Sequence, residues 1–120
     1  MRILDNKNIV VGISGSIAAY KAADLISRLR SYGANVRVVM TSSSSQFITI
    51  TTLESLSGNK VIYENNKSSI SNFTHLDIAK WADILVIAPC TANLMNKIAN
   101  GVGDDLLTTI CLAYNKKLFI

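Results

Sequence analysis

The sequence predicts an α/β fold of three layers: a parallel sheet with helices on both of its faces. Three observations predict it. Short runs of strand length, "NIVVGI", "NVRVVM" and "ILVIA", alternate with longer segments whose apolar residues recur every three or four positions. The runs lack the in-out alternation of a half-solvated sheet, so both faces of each strand are covered. Turn-forming Gly, Ser and Pro stand where a run gives way to the next helix, the arrangement of repeated strand-helix units.

The elements follow in order. Asn8 to Ile13 is a buried strand bounded by Gly and Ser. Ile17 to Tyr32 is a helix, with Ile17, Ala18, Ala22, Leu25, Ile26 and Leu29 on one face and Gly33 as its stop. Asn35 to Met40 is the second strand. Thr41 to Ser45 is a hydroxyl-rich loop, Phe47 to Leu56 a short helix, and Gly58 to Tyr63 a third, weaker strand. Asn65 to Asn72 is polar and loop-like. Thr74 to Trp81 is a helix on which Thr74 and Asp77 resemble a capping box. Asp83 to Ala88 is a strong strand, Thr91 to Asn100 a helix ended by Gly101, and Asp104 to Tyr114 another whose first two acids suit the helix dipole. Lys117 to Ile120 begins a further strand. The class is a doubly wound, Rossmann-like (flavodoxin-like) parallel sheet forming one domain over residues 1–120.

Composition narrows the function. The 120 residues carry twelve Lys and Arg against eight Asp and Glu, a net charge of +4 spread along the chain. No basic block interleaved with aromatics marks a nucleic-acid surface. No apolar run approaches a membrane span, and Asp5, Asn6, Lys7 and Asn8 make a poor signal peptide. Two cysteines, Cys90 and Cys111, do not make a disulfide framework and read as reduced, buried thiols. No metal is expected. The chain reads as cytoplasmic, with neither nucleic acid nor membrane as a partner.

In such sheets ligands bind beyond the carboxyl ends of the strands. Three ends draw notice. "GISGSIA" is a Gly-Ser turn opening a helix, whose N–H groups and positive end suit a phosphate. It fits neither a Walker A loop nor GxGxxG, and the second strand ends in Met40-Thr41-Ser42 without the acid a nicotinamide ribose needs, so a mononucleotide remains open beside a plain turn. "TSSSSQF" offers hydroxyls for a phosphate or sugar chain, with Phe47 to flank a ring; a solvated loop is the alternative. "APCTANL" sets the only proline at a strand end, with Thr91 and Asn93 at a helix start; a simple N-cap is the alternative. His75, the only histidine, begins a helix, where the positive dipole end favours neutral imidazole, a usable base; taken alone, a lone histidine at a helix start is more often structural or idle.

Taken together, "VGISGSIAAYKAADLISRL", "VVMTSSSSQFI" and "THLDIAKWADILVIAPCTANLMNKIANGVGDDLLTTICLA" resemble the homo-oligomeric flavin-containing cysteine decarboxylases, above all the flavin domain of the phosphopantothenoylcysteine decarboxylases. The Pro-x-Ser/Thr-Ala-Asn/Asp motif matches Pro89 to Asn93, and the His-x-Asp-Leu/Ile-Ala pattern matches His75 to Ala79. The resemblance implies bound FMN, held by Gly15, Ser16 and Ile17, by Thr41 and Ser44 with Phe47 nearby, and by Thr91, Ala92, Asn93 and Leu94. It implies His75 as the active-site histidine and a homo-oligomer meeting around the flavin. Cys90 falls at a variable position of its motif and is not expected to be catalytic. The implied reaction converts 4'-phosphopantothenoylcysteine to 4'-phosphopantetheine in coenzyme A biosynthesis. The substrate's thiol-bearing carbon is oxidised, the thioaldehyde draws off the electrons of the departing CO2, and the electrons then return.

The family's Pro-x-Met-Asn segment and flap cysteine would follow Ile120, so the expectation is an incomplete domain, a fragment or truncated form with little turnover alone. Two alternatives remain. One is a flavin prenyltransferase, which typically carries more basic residues and lacks this His-Leu-Asp-Ile-Ala pattern. The other is a non-catalytic flavoprotein subunit.

Overall fold

Residues 2–64 and 75–120 are described by the structure, a computed structural model. Among them five strands form one sheet: β1 (Asn8–Ile13), β2 (Asn35–Met40), β3 (Ile62–Tyr63), β4 (Ile84–Ile87) and β5 (Lys117–Phe119). Its order is β3-β2-β1-β4-β5, and every pairing is parallel. The helices are α1 (Tyr20–Ser31), α2 (Ile50–Ser57), α3 (His75–Trp81), α4 (Ala92–Ala99) and α5 (Leu106–Ala113). The expected class is the observed one.

Alternate residues of the strands build two separate cores. Ile9, Val11, Ile13, Val36, Val38 and Met40 pack with Ala22 and Ile26 of α1 and Leu53 of α2. Val10, Val39, Leu85 and Ile87 face the other way, onto Ile78 of α3, Leu94 of α4, and Leu107 and Ile110 of α5. Arg37, in the middle of β2, points to this second face and lays its guanidinium over the Trp81 ring, 5.3 Å from the centroid. A cation thereby fits into an otherwise apolar strand.

Several boundaries shift for local reasons. The helix expected from Ile17 begins as a 3-10 turn, Ile17–Ala19, capped by Ser16, whose Oγ accepts from Ala18 N at 3.2 Å. The serine loop is a 3-10 turn as well, Ser42–Gln46, closed by Ser44 Oγ donating to Thr41 O at 2.7 Å. The helix expected from Phe47 starts at Ile50, because Thr49 caps it by accepting from Thr52 N. The third strand shrinks to Ile62–Tyr63. Three helix-ending glycines take positive φ: Gly33 at 99° and Gly101 at 69°, as expected, and Gly58 at 73°, which ends α2 where the third strand was expected to begin. The loop expected over Asn65 to Asn72 and the Thr74 cap lie outside the described residues.

Candidate active site

The strand order reverses direction between β1 and β4, both of which leave the sheet at the same end. That reversal is where a crevice opens in an α/β sheet. The turns after β1 and β4 meet there and are tied together by Ser14. Its Oγ donates to Pro89 O at 2.5 Å and accepts from Thr91 N at 3.1 Å, and Ser14 N donates to the same carbonyl at 3.3 Å. Ser14 is only 3% exposed, so a buried hydroxyl holds "GISGS" and "APCTAN" in fixed relation.

The turn after β2 closes against the first. A Cβ on Gly15 would stand 2.5 Å from Ser43 Oγ and 2.8 Å from Ser43 Cβ. Only glycine permits that approach, which brings the backbone of the Gly-Ser turn onto the serine turn. The result is a cleft of about 170 Å³ whose lining includes Ser14, Thr41, Ser42, Ser43, Thr91 and Asn93. Thr91 also caps α4, its Oγ1 accepting from Leu94 N at 3.2 Å. The hydroxyl keeps its own hydrogen to give. Thr91 thus satisfies Leu94 N and its carbonyl takes Met95 N, while the Ala92 and Asn93 N–H groups have no acceptor within the helix.

Three charged residues not expected at the site, Glu64, Lys97 and Asp105, also line the cleft. Glu64, at the end of β3, accepts from Ser42 N at 3.0 Å through one oxygen and from Leu106 N at 3.2 Å through the other. It joins the serine turn to the start of α5. Asp105 caps α5 in a reciprocal box with Thr108. Lys97, one turn beyond Asn93 on α4, lies 3.1 Å from Asp104 and 3.8 Å from Asp105. The Asp104 carboxylate holds the Lys97 ammonium above the usual lysine range. Helical spacing from Asn93 to Lys97 was the available signal for the lysine; Glu64 and Asp105 become neighbours only through the fold.

The expected site residues separate accordingly. Thr41, Thr91, Asn93 and Leu94 line the cleft, and Gly15 and Ser16 form the turn at its edge. Ser44 does not line it: the residue is fully buried and its hydroxyl is spent on Thr41 O. Ser42 and Ser43 take that place. Ile17 and Phe47 stand 80% and 40% exposed at the ends of their turns, and Ala92 is exposed at the head of α4. His75 opens α3, a helix that packs on α5. Cys90 and Cys111 are half-buried free thiols, not fully buried ones. Burial and the neighbouring Cys90 push Cys111 up to about 11, and burial also raises Cys90, so both stay protonated at neutral pH.

The donor set fits a phosphorylated, hydroxylated mononucleotide: hydroxyls, helix-start N–H groups and a glycine turn against which backbone can approach a ligand. Known proteins bear on the same point. The coenzyme A biosynthesis bifunctional protein CoaBC of Bacillus subtilis is 44% identical over 122 residues, covering 98% of this chain and 29% of its own length. Among solved structures, the FMN binding protein AtHal3 superposes with a TM-score of 0.79 at 34% identity, over 94% of this chain and 64% of its own. A PPC decarboxylase mutant complexed with pantothenoylaminoethenethiol gives the same TM-score and identity, over 94% of this chain and 64% of its own. The chain thus spans under a third of the length of that bifunctional relative. The Flavoprotein family model matches residues 2–120, and the chain belongs to the Flavoprotein family.

Proposed function

We propose that this chain binds FMN in the cleft and serves the decarboxylation of 4'-phosphopantothenoylcysteine to 4'-phosphopantetheine in coenzyme A biosynthesis. One observation carries the reading: the three turns singled out by their residues converge on a single hydroxyl-lined cleft at the reversal of strand order. Gly15, Ser16, Thr41, Ser43, Thr91, Ala92 and Asn93 are the residues to hold the phosphate and its hydroxylated chain. Ile17 and Phe47 offer exposed apolar surface to a planar ring. When bound, FMN supplies the acceptor and donor of the electron pair that decarboxylation of a thiol-bearing carbon needs. The chain's part is position and proton handling, with His75 as the base. The assembly proposed is a cytoplasmic homo-oligomer, as the family resemblance implies.

The test is direct. The purified protein, titrated with FMN, is expected to take up one flavin per subunit with a shifted visible band and quenched fluorescence. A folded protein with no affinity for FMN would sink the reading. Flavin binding without CO2 release from phosphopantothenoylcysteine would keep the cofactor and remove the reaction.

A further inference from the structure

Lys97 is the single cation among the described residues lining the cleft, in company with two carboxylates, Glu64 and Asp105. The two acids are committed. Glu64 holds both of its oxygens on backbone N–H groups of different elements. Asp105 gives one oxygen to Thr108 N at 2.8 Å and to the Thr108 hydroxyl at 2.6 Å. Lys97 is not committed in the same way. Its closer partner, Asp104, has a side chain 55% exposed, and an ion pair of that kind is weakened by water. Its other partner is 3.8 Å away. The Lys97 side chain itself is 25% exposed, so its stem is packed while its ammonium end reaches carboxylates at the rim. Asn93, four residues earlier, stands on the same face of α4 and lines the same cleft.

An anion entering this cleft meets hydroxyls and helix-start N–H groups, but also the fixed charge of Glu64. Neutral donors alone leave a phosphate dianion poorly compensated beside a carboxylate. A cation on a long, rotatable stem at the rim removes that imbalance with only a change of partner. We propose that Lys97 reads a phosphate monoester in the cleft, exchanging Asp104 for the phosphate when the ligand enters. This rests on the FMN reading above. Two ligands of that reaction carry such a group, the FMN itself and the phosphopantothenoyl substrate, and the experiment separates them.

Binding of FMN and of riboflavin is measured for the wild-type protein and for Lys97→Met. Loss of a charge-assisted contact predicts FMN binding weaker by about 10- to 100-fold, with riboflavin changed by less than about threefold. The ³¹P resonance of bound FMN is expected to move in the variant. If the FMN pair is unaffected, the same contrast between phosphopantothenoylcysteine and its dephosphorylated form assigns Lys97 to the substrate's phosphate instead. Equal loss for phosphorylated and dephosphorylated ligands, or no loss for either pair, overturns the proposal and leaves Lys97 as a strut between α4 and α5. Lys97→Arg is expected to restore phosphate selectivity. Should Lys97→Met fail to fold, Asp104→Asn decides. Releasing the ammonium predicts equal or tighter FMN binding with riboflavin unchanged, whereas a strut predicts a lower melting temperature and parallel losses. Wild-type protein that binds no FMN defeats the parent reading before any variant is made.

Discussion

Ser14 shows how much one residue decides here. In the sequence it is an ordinary serine between two glycines' reach; in the fold its hydroxyl is the link between the β1 and β4 turns. Gly15 is its complement, a position where the missing side chain lets the Gly-Ser turn close onto Ser43. His75 belongs to the same scale but rests on different grounds, the His75-Leu76-Asp77-Ile78-Ala79 pattern at the start of α3. If His75 handles a proton and holds no flavin, His75→Asn keeps the flavin spectrum and lowers turnover by about 10²- to 10⁴-fold. Turnover near that of the wild type would make the histidine structural. The motif residues were legible because their chemistry is local: a cap, a glycine, a proline at a strand end. That Ser44 faces inward while Ser42 and Ser43 line the cleft was not legible, because four consecutive serines look alike until the 3-10 turn aims one of them at Thr41 O.

Helix starts are the working parts at the next scale. α4 begins at the cleft through Thr91, and α5 begins beside it through Asp105. The α5 cap is the more heavily invested. Asp105 Oδ1 accepts from both Thr108 N and Thr108 Oγ1, and Thr108 is fully buried, so without that carboxylate its hydroxyl is left with the Asp105 carbonyl at 3.2 Å and no water. Asp105→Ala removes a cap and strips a buried hydroxyl of an acceptor, for an expected loss of about 1–2 kcal/mol in the denaturant midpoint analysis. A loss under a few tenths would mean that α5 is held by its buried face alone. The existence of α4 and α5 was readable from their apolar spacing. That Glu64 reaches across 42 residues to the Leu106 N–H was not, since nothing local in "VIYEN" announces a distant helix start.

For the molecule as a whole, the sheet's centre and the cleft are mechanically joined through Gly12. A Cβ there would lie 2.6 Å from Leu107 Cδ1 and 2.9 Å from Ile87 Cδ1, both buried atoms of the second core. α5 therefore rests directly on the β1 backbone, and its first turn carries Leu106, the residue that Glu64 holds. Gly12→Val is expected to lift α5, costing about 1–3 kcal/mol by overpacking and weakening FMN binding together. Unchanged stability in thermal and urea unfolding would show that the second core has room to give. The amino-acid sequence by itself determined the class of fold, the strands, most helix ends and the three turns that come to line the cleft, because apolar period, caps and glycines act within a few residues of themselves. Only the tertiary structure decided that the three turns form one cleft, that Ser43 replaces Ser44 at its wall, and that Lys97, Glu64 and Asp105 share it. Those facts depend on strand order and on charges brought together from residues tens of positions apart, and distance along the chain carries no trace of either.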